Sequence, residues 1–495
     1  MFYTNQAAAV LSEGAVAFKS HVHKYLQRID DYHGLLERWI HAPHPKKKLR
    51  ELVNKKRISR GQLPVDRRAY VDLQLKPQES LPYDKQLRTI GEIGDLSSFE
   101  HGPLAPIHKE IFEHPFHYKG ARMVYIPGPK EENMQLAIKL LTDSEAWFTY
   151  IIFSDDSCGS IIIDDGLYLF NADVKQADAS MHRPLFQYTI SSLTVDKVTA
   201  KIVESAFKQC QKPIRLICRR HRAKIRVAGS KRRDIYIEIS PKPGEFYLPS
   251  GFSGTTLMNN FLQAINFVTA VDELVAYMEV KRFERSLMKD LLQRAFQKAG
   301  TVVRVDECES LEDLQFLKHS WFRKADGSFG VYVNLGCWLK SWGRIFGFMA
   351  TSGNLDDKLR GFASEVVRSR DNWGHHELSD AFRAAWLISD RAHRGLKQLE
   401  EEVKRSSILG HEVPFEVLQR RYKFGEAEYR EFCSMVASMQ LGEKIIHPVV
   451  EKIMEKDYGV DPSTQRFSET YPKLVVDWAR CGRKRVLAYP KLASL

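Results

Sequence analysis

The chain has 495 residues, of which 43% are hydrophobic and 27% charged, and its formal net charge is +12. That length supports several packed subdomains, and the balance is that of a globular protein rather than a disordered or fibrous one. No uninterrupted apolar stretch approaches transmembrane length, no secretory leader is expected from MFYTNQAAAVLSEG, and seven scattered cysteines without a Cys-x-x-Cys pair argue against a zinc ribbon or disulfide framework.

In chain order, residues 15–57 place Leu26, Ile29, Leu35, Leu36 and Ile40 at helical spacing before a basic run at Lys46, Lys47, Lys48 and Arg50. Residues 58–130, rich in Pro and Gly, read as extended segments and loops, and MQLAIKLLT (134–142) as a short helix. FTYIIFSDDSCGSIIID (148–164) reads as two apolar strands about a turn, followed by a third strand, GLYLFNAD (166–173). Residues 181–212 read as helical. Residues 213–247 alternate like strands around KPIRLICRRHRAKIRVAGSKRR (212–233), a basic stripe without an acid that suits a phosphate backbone or a solvated sheet edge. A long helix is expected from 255, a second over 282–299, and a strand at TVVRV (301–305). Residues 311–348 mix strand-like and aromatic segments, and from about 355 the pattern is helical. There is no internal repeat, low-complexity tract or long linker. The fold class is α+β with a helical C-terminal third.

The carboxylates carry the chemistry. Asp155 and Asp156 occupy the turn, Asp173 ends the next strand, and Asp178 follows in LFNADVKQADAS. Segments joined this tightly lie side by side in a sheet, so Asp155, Asp156 and Asp173 are expected at one sheet edge. Two unit charges about 4 Å apart repel by roughly 4 kcal/mol at an effective dielectric near 20. A hard divalent cation, Mg²⁺ above all, would relieve that repulsion. Turn preference alone also explains an Asp pair in a hairpin.

YLPSGFSGTTLMNN (247–260) adds Ser250, Gly251, Thr255 and Asn259. Gly251 is expected to permit a sharp turn and close approach to a ligand. Thr255 and Asn259, four apart, share one face of the following helix. A glycine loop capping a helix is the plainer reading.

Together these stretches resemble the viral RNA-dependent RNA polymerases. Ser250 to Asn259 is similar to their motif B, Asp173-x4-Asp178 to motif A, and Ser154-Asp155-Asp156 to motif C, usually Gly-Asp-Asp. The order here is C, A, B, which resembles the permuted polymerases of birnaviruses and permutotetraviruses. LKPQESLPYDKQLRTIGEIG (75–94) resembles motif F, residues 287–305 fit motif D, and LEDLQFLKHSWFR (311–323) resembles motif E in Phe316-Leu317-Lys318.

The resemblance implies a right-hand fold of fingers, palm and thumb, with an antiparallel palm sheet and a helical C-terminal thumb. The N-terminal extension and fingers would span 1–140, palm 141–180, a basic fingers insertion 181–246, palm again 247–325, and thumb 326–495. It implies Asp173 and Asp155 as principal ligands of two Mg²⁺ or Mn²⁺ ions, assisted by Asp156 and the Val174 carbonyl. Asp178 and Asn259, positioned by Ser250, would read the ribose 2′-hydroxyl, with Gly251 and Thr255 shaping the nucleotide site. Lys76, Lys85 and Arg88 would hold the triphosphate, and Lys298 or Arg304 would protonate pyrophosphate. Trp338, Trp342, Phe346 and Phe348 read as thumb core, and His375-His376 as surface or core residues. Expected partners are RNA template and nascent strand, nucleoside triphosphates and other viral replication proteins, in the host cytoplasm, at a membrane-associated replication complex or in the virion. An RNA-binding or packaging protein with a degenerate palm, and a reverse transcriptase-like palm enzyme, are the competing readings.

Overall fold

The computed structural model describes residues 1–26, 39, 70–75, 89–93, 101–164, 166–217, 236–281, 284–337, 339, 374–386, 411–438 and 447–458. The chain divides into two units, the first comprising 1–75, 89–127 and 140–307, the second 76–88, 128–139 and 308–495.

The first unit contains β1 (Val71–Leu75), β2 (Thr89–Glu92), β3 (Phe116–Tyr118), β4 (Ala121–Tyr125), β5 (Phe148–Phe153), β6 (Asp156–Ile163), β7 (Gly166–Val174), β8 (Ile214–Ile217), β9 (Tyr236–Ile239) and β10 (Val303–Cys308). Six of these form a sheet in the order β10-β7-β6-β5-β4-β3, and four form a second in the order β2-β1-β8-β9. The larger sheet is mixed, not wholly antiparallel: β4 runs parallel to β5, whereas β5–β6 and β6–β7 are antiparallel hairpins. It also takes in β3 and β4, from the stretch read as extended segments and loops and assigned to the fingers. That stretch holds the helix Leu104–Phe112 as well. Its Pro106 is tolerated because the first-turn N–H groups have no intrahelical acceptor to lose.

The hairpins follow from local chemistry. Lys119 and Gly120 both have positive φ, the two-residue turn that matches strand twist. In β6, Gly159 faces Phe170 of β7, and a Cβ there would stand 2.5 Å from the Phe170 ring. The aromatic therefore lies over a position only glycine leaves open.

The helix Thr255–Met278 runs through the core of this unit. It is long and apolar enough to cross a membrane by length and composition, yet its face is spent on the protein interior. Phe261 meets Phe18 of the helix Glu13–Leu26 edge to face at 5.3 Å, and Phe267 stacks on Tyr150 of β5 at 6.2 Å. Gly14 admits the close packing of Glu13–Leu26 on that helix, since a Cβ would lie 2.5 Å from Val268 Cβ. Such aromatic contacts add about 0.5–1.5 kcal/mol each beyond area burial. The expected helices after 181 and 282 are present as Arg183–Leu193, Lys197–Phe207 and Arg285–Lys298.

The second unit pairs β11 (His319–Arg323) with β12 (Phe329–Val333), antiparallel. Trp321, fully buried, donates through Nε1 to Met134 O at 2.9 Å. The helices Phe415–Tyr422, Glu426–Ser438 and Pro448–Tyr458 agree with the helical C-terminal reading. Among them Arg421 and Asp457 form a buried ion pair at 2.7 Å, and Arg421 Nη1 also donates to Glu312 O at 2.6 Å. His375 is a core residue with Nε2 2.5 Å from Val333 O, and burial pushes its pKa down to about 4. Trp338, Trp342, Phe346 and Phe348 lie outside the described residues.

Candidate active site

The turn joining β5 to β6 consists of Ser154 and Asp155, closed by Phe153 paired with Asp156. β6 then pairs with β7 so that Asp156 stands directly opposite Asp173. Cross-strand partners have Cβ atoms about 4.5–5.5 Å apart, and like charges there oppose pairing. Successive side chains alternate faces. Ser157 Oγ bonds Tyr150, Ala172 and Gln263, so Ser157 faces the Thr255–Met278 helix. Asp156 and Asp173 therefore share the opposite face, and Asp173 is exposed. The residue read as assisting, Asp156, is thus the one in register with Asp173, while Asp155 is exposed in the turn. Among the described residues no group of three or more His, Cys, Asp or Glu side chains that could hold a metal ion is found. The sheet sets Asp156 opposite Asp173, with Asp155 in the adjoining turn. Val174 ends β7 as a buried residue.

The long helix braces the turn. Ser154 N donates to Asn260 Oδ1 at 2.8 Å, and Asn259 Nδ2 donates to Ser154 Oγ at 2.8 Å. Gln263 Nε2 reaches the Asp155 carbonyl at 3.3 Å, and its Oε1 accepts from Tyr150 at 2.7 Å. Asn259 is only 3% exposed, and its Oδ1 is buried without a hydrogen-bond partner among the described residues. Asp178 lies beyond β7 on the short 3₁₀ turn Ala177–Ser180, which packs against the same helix. Gln6 ties the end of that turn, donating to Ser180 O at 3.1 Å and accepting from His182 N at 2.9 Å.

No family model and no curated protein matches this chain. Solved structures do. The chain is similar to the X-ray structure of the birnavirus VP1–VP3 complex, at 11% identity and TM-score 0.37, covering 93% of this chain and 66% of that one. It is also similar to the RNA polymerase VP1 from Infectious Pancreatic Necrosis Virus, at 10% identity and TM-score 0.40, covering 94% and 66%. The chain thus spans 66% of the length of each.

The loop ahead of the long helix is seated on β2. Gly251 N donates to Gly91 O at 3.1 Å, and Ser250 Oγ accepts from Gly91 N at 3.2 Å. A Cβ at 251 would lie 2.3 Å from Gly91 O. Gly251 is required by the approach of β2, not by a left-handed φ. Ser250 is thus held against β2. Thr255 Oγ1 donates to Phe252 O at 2.8 Å and Pro249 O at 3.2 Å, stitching the loop to the helix start.

The cations fare unevenly. Lys298 is ion-paired with Glu273, and Arg304 with Asp306 at 2.6 Å, so both general-acid candidates sit in exposed ion pairs. Lys76, Lys85 and Arg88 lie outside the described residues, as does the basic stripe from 218 to 233. Its strand residue Arg215 lies over the Tyr70 ring at 4.5 Å.

Sequence reasoning passed over Asn260, Gln263 and His108. The available signal was a set of amides on an otherwise apolar helix, LMNNFLQAINF, since a buried amide needs a specific partner.

Proposed function

We propose that this protein is an RNA-dependent RNA polymerase that copies a viral RNA genome by nucleotidyl transfer. The observation that carries this reading is Asp156 in register with Asp173, on a turn anchored to the Thr255–Met278 helix. Two acids in register on one face of a sheet lie close enough to share a divalent cation. Mg²⁺ is commonly held by one or two carboxylates and completes its shell with substrate phosphates, so an exposed carboxylate pair fits it or Mn²⁺.

Asp156 and Asp173, with Asp155 and the Val174 carbonyl beside them, would hold two such ions. When bound, the ions supply charge stabilisation at the attacking 3′-hydroxyl and the departing pyrophosphate. The protein's own share is positioning: β6 and β7 fix the carboxylates, and the helix fixes the turn. Asn259 retains a buried amide oxygen able to accept from a ribose 2′-hydroxyl, and Asp178 lies on the turn packed against its helix. RNA template, nascent strand and nucleoside triphosphates are the proposed ligands, in the host cytoplasm with other viral replication proteins.

Primer extension with Mg²⁺ or Mn²⁺ over several template types tests the reading. Ribonucleotide incorporation that Asp173→Ala abolishes, with RNA binding retained, supports it. Retained synthesis in both Asp155→Ala and Asp173→Ala removes the site. RNA binding without synthesis favours a packaging protein, and preference for deoxyribonucleotides favours a reverse transcriptase.

A further inference from the structure

Ser154 has φ 57°, in the left-handed region. An L-residue there costs roughly 1–2 kcal/mol, which is why hairpin turns of this kind favour glycine. Serine persists because its surroundings over-determine it. Its N–H donates to Asn260 Oδ1 and its hydroxyl meets Asn259 Nδ2, each at 2.8 Å.

The orientation of the Asn260 amide is forced. A backbone N–H can only donate, so the amide oxygen faces Ser154 and the NH₂ group faces His108, whose Nε2 lies 2.6 Å away. His108 Nε2 must accept, which makes the ring neutral with its hydrogen on Nδ1. Burial favours that state and pushes the His108 pKa to about 4. Phe112 stacks on the ring at 5.0 Å and Tyr125 meets it edge-on at 4.8 Å, so the imidazole has one orientation. Asn260 itself is fully buried.

We propose that Asn260, braced by His108, is a positioning residue that locks the left-handed Ser154 turn and so sets Asp155 and Asp156 against Asp173. The catalytic consequence rests on the polymerase reading; the clamp itself rests on hydrogen-bond geometry.

Ser154→Gly provides the test, because glycine keeps the N–H that donates to Asn260 but adopts the same φ without strain, so the turn no longer depends on the clamp. With Ser154 present, Asn260→Leu is expected to lower the rate at saturating triphosphate by about 100-fold, the scale of a 1 Å misplacement. The triphosphate KM should change little, and half-saturation in Mg²⁺ should move upward. In the Ser154→Gly background the same substitution should cost less than about 10-fold. An equal loss in both backgrounds marks Asn260 as a packing residue and overturns the proposal. His108→Gln, which can still accept, should spare the rate, whereas His108→Phe should follow Asn260→Leu. This His108 pair, measured in both backgrounds, carries the comparison if Asn260→Leu does not fold.

Amide hydrogen exchange at Ser154 gives a readout independent of synthesis. Protection there should fall in Asn260→Leu and His108→Phe and hold in His108→Gln. That result in a chain inactive on every template keeps the clamp and removes only the polymerase reading. Protection unchanged by all three substitutions overturns the clamp.

Discussion

Gly251 donates its backbone N–H to the carbonyl of Gly91 across 3.1 Å, and a Cβ at 251 would lie 2.3 Å from that same oxygen. The loop before the long helix is therefore seated on β2 by a contact no other residue allows. Gly251→Ala should separate the two backbones and cost about 1–3 kcal/mol of stability, the usual range for overpacking. Chemical denaturation measures this, with a parallel fall expected in ribonucleotide incorporation.

On the polymerase reading, Asp173→Asn should lower ribonucleotide incorporation by about 10³-fold or more, since the charge stabilisation an ion would supply there is worth several kcal/mol. Primer extension with Mg²⁺ reads the effect, and thermal unfolding checks that the pairing of β6 with β7 persists.

His108 makes stability depend on acid. Its pKa is lowered from 6.5 to about 4 by burial. Between those values the unfolded chain takes up a proton at this ring and the native chain does not, so unfolding free energy falls as pH falls. The contribution of this ring is on the order of 3 kcal/mol, present above pH 6.5 and lost on approach to pH 4. His108→Gln should reduce the slope over that window, with His21, His319 and His375, likewise lowered by burial, supplying the remainder, measured as denaturant midpoints at several pH values.

The turn after Phe316 carries strain of its own. Leu317 and Lys318 have φ 51° and 64°, and Phe316 and His319 exchange two backbone hydrogen bonds of 2.9 Å around them. Both central positions of such a turn favour Asn or Gly. Lys318→Gly should stabilise the second unit by about 1 kcal/mol. Lower primer extension alongside that gain would show that strain is retained there for function.

Asp457 holds the second unit together through Arg421 at 2.7 Å, Tyr422 Oη at 2.9 Å and Gly336 N at 2.8 Å. Asp457→Ala leaves the Arg421 guanidinium buried and unpaired. A loss of about 3–5 kcal/mol is expected by denaturation, as for other broken buried pairs.

Local signals in the sequence were enough to place the hairpin, the β7 strand and the helix carrying Thr255 and Asn259. Alternation with period two and helical spacing are properties of neighbouring residues, so they survive in a one-dimensional string. The close succession of the hairpin and β7 likewise made Asp156 and Asp173 neighbours whatever the rest of the chain did. The Leu104–Phe112 helix was missed in a stretch whose Pro and Gly content suggested extended segments and loops.

What the chain by itself determined is thus the acidic hairpin, its neighbouring strand and the order in which they precede the amide-bearing helix. Only the tertiary structure decided why Gly251 is glycine, how Ser154 tolerates a left-handed φ, and that His108 braces Asn260 from 152 positions away. Those relationships depend on the close approach of distant segments, and a buried hydrogen bond between them leaves no periodic trace in either one.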